Sequence, residues 1–175
     1  MRAWVLAQLL WNPHQDDRKL VREFAEAYYG KPSAPFILKH LDLISKAAQP
    51  YYVGIGHPDA SPYLRFPTLV KSERLWQQAE DAARGNAEHL WRVRQARLPI
   101  SYLWLSQWAG WQREGRELGK PWPINPSRKA YAAQWLATVN EPGPLGWSPM
   151  SSMRESGQKP ADFAAQVASD PDGSL

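Results

Sequence analysis

The sequence contains no cysteine, which excludes disulfides, thiolate-ligated zinc sites and cysteine nucleophiles. It also has no long apolar run. The run at residues 4–11 is interrupted by Gln8, is untypical of a signal peptide and is far too short to span a bilayer. We therefore expect a soluble protein without a signal peptide, and the sequence does not identify its compartment.

Recognisable catalytic and phosphate-binding motifs are missing as well. The histidines follow no HxxxH or HxxEH spacing, so we interpret them as isolated polar or partly buried side chains: His14, His40, His57 and His89. Asp16 and Asp17 are interpreted as capping residues. The remaining carboxylates of interest are placed on polar helix faces: Glu23, Glu26, Glu73, Glu80 and Asp81. None of them forms the acid pair of a glycosidase. We predict no catalytic residue, metal site or cofactor in this chain.

The excess of positive charge is also small, because 21 Lys and Arg stand against 17 Asp and Glu, which gives a net charge of +4. The densest basic group spreads over more than one face of a helix: Arg84, Arg92, Arg94 and Arg97. Such a pattern is typical of a solvated surface rather than of a phosphate-binding track. We therefore expect neither a nucleic-acid nor a membrane partner.

What the sequence does contain is a series of capped segments of helical period, with no alternation typical of strands. This pattern predicts an all-α fold, an irregular array of five to seven helices over residues 1–139. Asp16 and Ser33 are expected to cap helices. Pro99 is expected at a kink or junction in a helix that continues to about Arg113. Residues 50–67 are expected to form a long loop or lid, and residues 140–175 a mobile tail with one helical turn near Phe163 to Val167.

The chain has ten tryptophans, and three of them follow i, i+4, i+7 spacing: Trp104, Trp108 and Trp111. Indole rings on one helix face can stack on sugar rings or contact a partner, which makes these residues the candidate carbohydrate or partner contact. The alternative is a bulky core or docking stripe. We favour this alternative because apolar stripes at helical spacing are mostly buried.

Four segments in this order and spacing resemble one known family: WVLAQLLWNP at residues 4–13, EF through YYG at residues 23–30, LWQQAE at residues 75–80 and RVRQARLP at residues 92–99. Together, residues 2–115 resemble the C-terminal part of a bacterial domain-of-unknown-function family numbered four-eight-three-eight. The resemblance implies large proteins in which a helical region follows a glycoside-hydrolase-like barrel, distantly similar to α-glucuronidases and β-hexosaminidases.

The resemblance also implies that residues 1–12 correspond to the last outer helix of a barrel absent from this chain, which fits a first helix that starts without a lead-in. Catalytic groups of such barrels lie at the C-terminal ends of their strands, so no family residue can be carried over here. Our leading hypothesis is a non-catalytic helical fragment or accessory domain that packs against the barrel or mediates association. A free-standing carbohydrate-binding or protein-interaction module is the alternative. If the face of Val5, Leu6, Leu9 and Leu10 has lost its cover, the chain alone should dimerise, aggregate or fray.

Overall fold

A computed structural model describes residues 1–51, 62–144 and 157–170 of the chain. Within these ranges the chain forms eight α-helices and no strand, so the predicted all-α fold is confirmed with one helix more than expected. No helix in this part of the chain is long and apolar enough to cross a membrane. The helices are α1 (Arg2–Trp11), α2 (Asp17–Tyr29), α3 (Ala34–Ala48), α4 (Phe66–Ala83), α5 (Ala87–Ser106), α6 (Trp108–Glu117), α7 (Arg128–Asn140) and α8 (Pro160–Ser169).

Local capping signals set most of the boundaries. The Asp16 carboxylate accepts a hydrogen bond from the Lys19 amide at 3.1 Å, so the predicted cap of α2 is confirmed. Gly30 ends that helix with a φ of 86°, a conformation that favours glycine. Ser33 differs from expectation, because its hydroxyl donates to the Ala79 carbonyl at 3.0 Å instead of capping α3. That bond ties α3 to α4.

The single helix predicted to continue past Pro99 is two helices. Pro99 lies inside α5, and the junction falls at Gln107, whose φ and ψ of −121° and 29° are not helical. The last carbonyls of a helix have no partner within it. The guanidinium of Arg128 supplies one, donating to the Leu105 carbonyl at 2.9 Å. The end of α5 therefore depends on a side chain from α7.

The core is built around α5, which packs against α2, α4, α6 and α7. Its densest part is a cluster of aromatic rings where α4, α5 and α6 meet the segment before α7. The Trp122 ring centroid lies 5.3 Å from that of Trp104, 4.9 Å from that of Trp108 and 6.2 Å from that of Phe66. Aromatic residues bury a large area each, so this cluster accounts for much of the apolar burial.

The C-terminal segment departs from the expected tail. Residues 160–169 form a three-turn helix rather than one turn, and α8 buries Phe163 and Val167 against α7. The Phe163 ring lies 4.8 Å from Tyr102 and 5.3 Å from Trp135. The helix is therefore longer than the single turn expected near Phe163 to Val167, because apolar residues at helical spacing continue along it and are buried. Residues 145–156 and 171–175, and most of the predicted loop at 50–67, lie outside the described residues.

Two glycines of α6 give a matched test of this packing. A Cβ on buried Gly115 would lie 2.8 Å from Cζ of Phe66, whereas one on Gly110 would meet only an ordinary side-chain contact. We expect Gly115→Ala to lower the free energy of unfolding by about 1–3 kcal/mol through overpacking. Gly110→Ala should raise it by up to about 1 kcal/mol through helix propensity. Urea denaturation measures both, and equal stability of the two variants would contradict the close packing of α6.

Candidate functional site

The three tryptophans at helical spacing are core residues. Trp104, Trp108 and Trp111 are all buried, and they are divided between α5 and α6. The indole Nε1 of Trp111 donates to the Leu103 carbonyl at 2.9 Å, and the other two rings pack on Trp122. Their burial agrees with the core stripe favoured in the sequence analysis and leaves the candidate carbohydrate or partner contact without support.

A charge cluster that includes one buried carboxylate joins α4 to α5, and it was not predicted from the sequence. Glu73 was placed on a polar face, yet it is only 1% exposed and ion-paired with Arg97. The same guanidinium donates to Glu80 at 2.6 Å, and the Gln77 amide donates to Glu73 at 3.1 Å. One signal was available in the sequence: Glu73 lies four residues after Leu69 and three before Trp76, which places it on the buried stripe of α4.

Burial and charge act in opposite directions in this cluster. Burial raises the pKa of the Glu73 carboxyl, and the positive charge of Arg97 opposes that rise. Burial also disfavours the charge on Arg97, but the two carboxylates outweigh it and raise the pKa of the guanidinium. Nearby Tyr131 has its pKa raised to about 12, chiefly by burial. Arg97 thus stays charged, and its partners hold it as a structural cation.

A polar cleft of about 240 Å³ opens above this cluster, between α4, α5 and α7. Its polar lining is Glu80, Arg94, Arg97, Ser101, Tyr131 and Gln134, among others. The Tyr131 hydroxyl donates to Ser101 at 3.0 Å, and Glu80 is engaged by Arg97. A glycosidase needs two accessible carboxyl groups roughly 5–10 Å apart across a cleft. Glu73, the second carboxylate of the cluster, is sealed beneath the surface, so the cleft does not provide that pair.

A serine and a histidine also meet in the interior, where α3 packs on α4. The Ser72 hydroxyl lies 3.0 Å from Nδ1 of His40, and the His40 ring packs 5.0 Å from Trp76. A nucleophilic serine needs such a base, but Ser72 is fully buried and cannot reach a substrate. Burial lowers the pKa of His40 to about 4. The pair is therefore a neutral packing contact between two helices.

The other predicted histidines are dispersed. His14 is exposed, His89 packs beside Gly30, and His57 lies outside the described residues. Within residues 1–51, 62–144 and 157–170, no group of three or more His, Asp or Glu side chains could hold a metal ion.

The most unusual surface of the described chain is the outward side of α1. Leu10 is 86% exposed and Trp11 90%, while Leu6 and Trp4 are 52% and 37% exposed. Only Val5 is buried, and Leu9 is half-buried, both on the side that meets α2. With 3.6 residues per turn, the exposed positions form one continuous apolar face over almost half of the helix circumference. We call it the α1 face; it comprises Ala3, Trp4, Leu6, Ala7, Leu10 and Trp11.

An apolar groove of about 340 Å³ adjoins the α1 face at Trp4. We call it the α1–α2 groove; its lining is Trp4, Glu23, Phe24, Ala27, Tyr28 and Arg92. The Tyr28 ring stacks on Phe24 with centroids 5.1 Å apart, and the Arg92 guanidinium lies 4.4 Å from the Tyr28 centroid. Arg92 is held there by the Tyr28 carbonyl at 3.0 Å and by Glu88. The groove is therefore a fixed apolar recess with a charged rim.

One family model matches the chain, over α1, α2 and the first part of α3. Residues 1–42 match the family described as Domain of unknown function (DUF4838). The resemblance predicted from the sequence is thereby confirmed, over a shorter range than residues 2–115. The match includes the whole α1 face. No curated protein and no solved structure matches the chain.

Removing the central cation tests the charge cluster. Arg97→Met leaves Glu73 buried without its partner, which is expected to cost about 3–5 kcal/mol of unfolding free energy. The control is Arg94→Met, because Arg94 is partly exposed and lies 3.9 Å from Glu141. Such an exposed pair contributes at most about 1 kcal/mol. Chemical denaturation of both proteins gives the comparison, and losses of similar size would show that Arg97 is not the structural centre of the cluster.

The buried histidine predicts a pH dependence. The pKa of His40 falls from 6.5 to about 4 on burial. The unfolded chain therefore binds this proton at a higher pH than the folded chain, and the contribution to stability is complete above pH 6.5 and lost as the pH falls towards 4. His40→Gln keeps an acceptor for Ser72 but does not titrate. Its unfolding free energy should fall less over this range than that of the wild type, by up to roughly 3 kcal/mol. Identical pH profiles would contradict the burial of a neutral His40.

Proposed function

We propose that this chain is a non-catalytic helical accessory domain of a larger, carbohydrate-active, glycoside-hydrolase-like protein. It acts by association through the α1 face, with a catalytic barrel or a second copy of the chain as the partner. The domain holds or joins the catalytic unit and contributes no reacting group of its own.

The α1 face is the observation that carries this proposal. A helix with large apolar side chains on two sides is normally buried on both, yet α1 packs chiefly against α2 alone. Four of its large apolar side chains remain in water: Trp4, Leu6, Leu10 and Trp11. Burying each one is worth roughly 1.5–3 kcal/mol. A continuous apolar surface of this kind favours binding to another folded surface.

The family match supports a barrel as one partner. It covers residues 1–42 and so contains α1 together with the helix that supports it. The resemblance implies that α1 corresponds to the last outer helix of a glycoside-hydrolase-like barrel. Such a helix buries its apolar side against the strands of the barrel, which would account for an outward face without a charged residue.

The arrangement of polar groups supports a non-catalytic role. The buried carboxylate Glu73 is committed to Arg97, and Ser72 with His40 is closed to solvent. The alternative of a free-standing carbohydrate-binding module was based on Trp104, Trp108 and Trp111. These rings are buried and therefore do not support it. No other observation in the described residues favours that alternative.

The proposal is tested by making the α1 face polar. In the double variant Leu10→Gln, Trp11→Gln the unfolding free energy should change by less than about 1 kcal/mol, because both side chains are already exposed. Association should be lost, measured both as self-association and as binding to a family barrel domain produced as a separate chain.

Leu118→Gln is the matched control, since Leu118 is a half-exposed leucine at the end of α6, away from α1. It should leave association unchanged. A wild-type chain that binds neither partner, or a double variant that binds as well as the wild type, would overturn the proposal.

A further inference from the structure

The last helix is joined to the fold by a connection far longer than its position requires. The guanidinium of Arg128, at the start of α7, binds Asp170 just after the end of α8, and Trp135 further along α7 contacts Phe163. The two helices are therefore antiparallel neighbours, and α8 begins close to the end of α7. About two to eight residues usually join such neighbours, whereas residues 141–159 separate these two. The connection is long enough for α8 to leave its place and return.

The two sides of α8 differ sharply. The buried residues follow i, i+3, i+4, i+7 spacing and face the fold: Pro160, Phe163, Ala164 and Val167. The exposed residues are small or polar: Ala161, Asp162, Ala165, Gln166 and Ser169. This is the pattern by which an amphipathic helix binds in an apolar groove of another protein.

The surface beneath α8 has the matching form. We call it the α8 groove; it is defined by Tyr102 of α5 and by Arg128 and Trp135 of α7. The Phe163 ring lies 4.8 Å from the Tyr102 ring and 5.3 Å from the Trp135 ring. At the other end, the side chain of Arg128 is only 5% exposed and donates to the Asp170 carboxylate at 3.0 Å. The groove therefore fits an apolar helix face that is followed by a carboxylate.

Few contacts hold α8 in the groove. It packs chiefly against α7 and buries two large apolar side chains, Phe163 and Val167, whereas α5 packs against four helices. A helix of ten residues is marginal in water on its own, so the helical form of α8 depends on the groove. Elements with few buried apolar contacts open more readily than the core of the same protein.

We infer that α8 is a separable intramolecular ligand of the α8 groove. A helix from another protein can take its place if it has the same apolar spacing and a carboxylate just after its last turn. The connection to α7 keeps α8 at a high effective concentration, so the groove is covered at rest. An outside helix binds only in the fraction of molecules whose α8 has left, and its apparent affinity is reduced by that fraction. The inference does not involve the α1 face, so each proposal can fail without the other.

Amide hydrogen exchange of the intact chain measures the opening of α8. We expect the protection factors of the amides at residues 164–169 to be at least about 100-fold lower than those of the buried amides of α4 and α5. Equal protection in the three helices would show that α8 opens only when the whole chain unfolds, and the inference would be wrong.

A fluorescent peptide of residues 157–170 measures access to the groove. It should bind the full chain carrying Phe163→Ser and Val167→Ser at least about tenfold more tightly than the wild-type chain, because the altered α8 no longer competes. The same two substitutions made in the peptide should abolish its binding. Gln166→Ala in the peptide is the matched control, since Gln166 lies on the exposed side of α8, and it should leave the dissociation constant unchanged.

The carboxylate is tested separately. Asp170→Asn in the peptide should weaken binding at least about tenfold, because the buried Arg128 then lacks that negative charge.

Each result decides the inference. Low protection of α8, together with peptide binding that depends on Phe163, Val167 and Asp170, supports it. A variant chain that binds the peptide no better than the wild type overturns it, as does a peptide that tolerates the two serine substitutions. An Asp170→Asn peptide that binds normally overturns the requirement for a carboxylate. If the variant chain loses its helical circular dichroism, α8 is an integral part of the core, and the inference is also wrong.

Discussion

The ion pairs of half-buried Arg97 with two carboxylates of α4 constrain how α4 and α5 pack. A charge that is largely removed from water is tolerated when charges of the opposite sign pair with it. Glu73 and Glu80 do so from positions seven residues apart, which is about two turns, so both lie on one face of α4. That face also carries Trp76 and Ala79 into the core. The ion pairs thus set the register of α4 on α5, and the cleft shared with α7 is a consequence of that register.

Signals that act within one helix were readable from the sequence, while those that join two helices were not. The helical period predicted the all-α fold, and the cap at Asp16 and the stop at Gly30 depend on residues in the same turn. Glu73 lies on the buried stripe of α4, but a glutamate is normally exposed, and the partner that permits its burial, Arg97, lies on another helix. The end of α5 was missed for the same reason, because Arg128 of α7 completes it.

The sequence also did not predict which side of α1 is buried and which is exposed. Val5, Leu6, Leu9 and Leu10 were predicted to share one broad face, but Val5 and Leu9 turn towards α2 while Leu6 and Leu10 turn to solvent. When large apolar residues lie on both sides of a helix, the sequence carries no pattern that distinguishes the buried side from the exposed one. The position of α2 decides between them, and that position depends on contacts distant in sequence. The same ambiguity applies to the three indoles of α5 and α6, because helical spacing alone does not distinguish a core stripe from an exposed contact surface.

The contrast between the interior and α1 is the strongest argument about function. In the interior, hydrophilic side chains that would be reactive in a cleft are paired and closed off, as in Glu73 with Arg97 and Ser72 with His40. On α1 the opposite holds, because Leu10 and Trp11 are almost fully exposed and contribute little to the folding of this chain. Their apolar character has no explanation in the fold itself. The association proposed above would supply one, because a partner surface would cover these side chains and remove them from water.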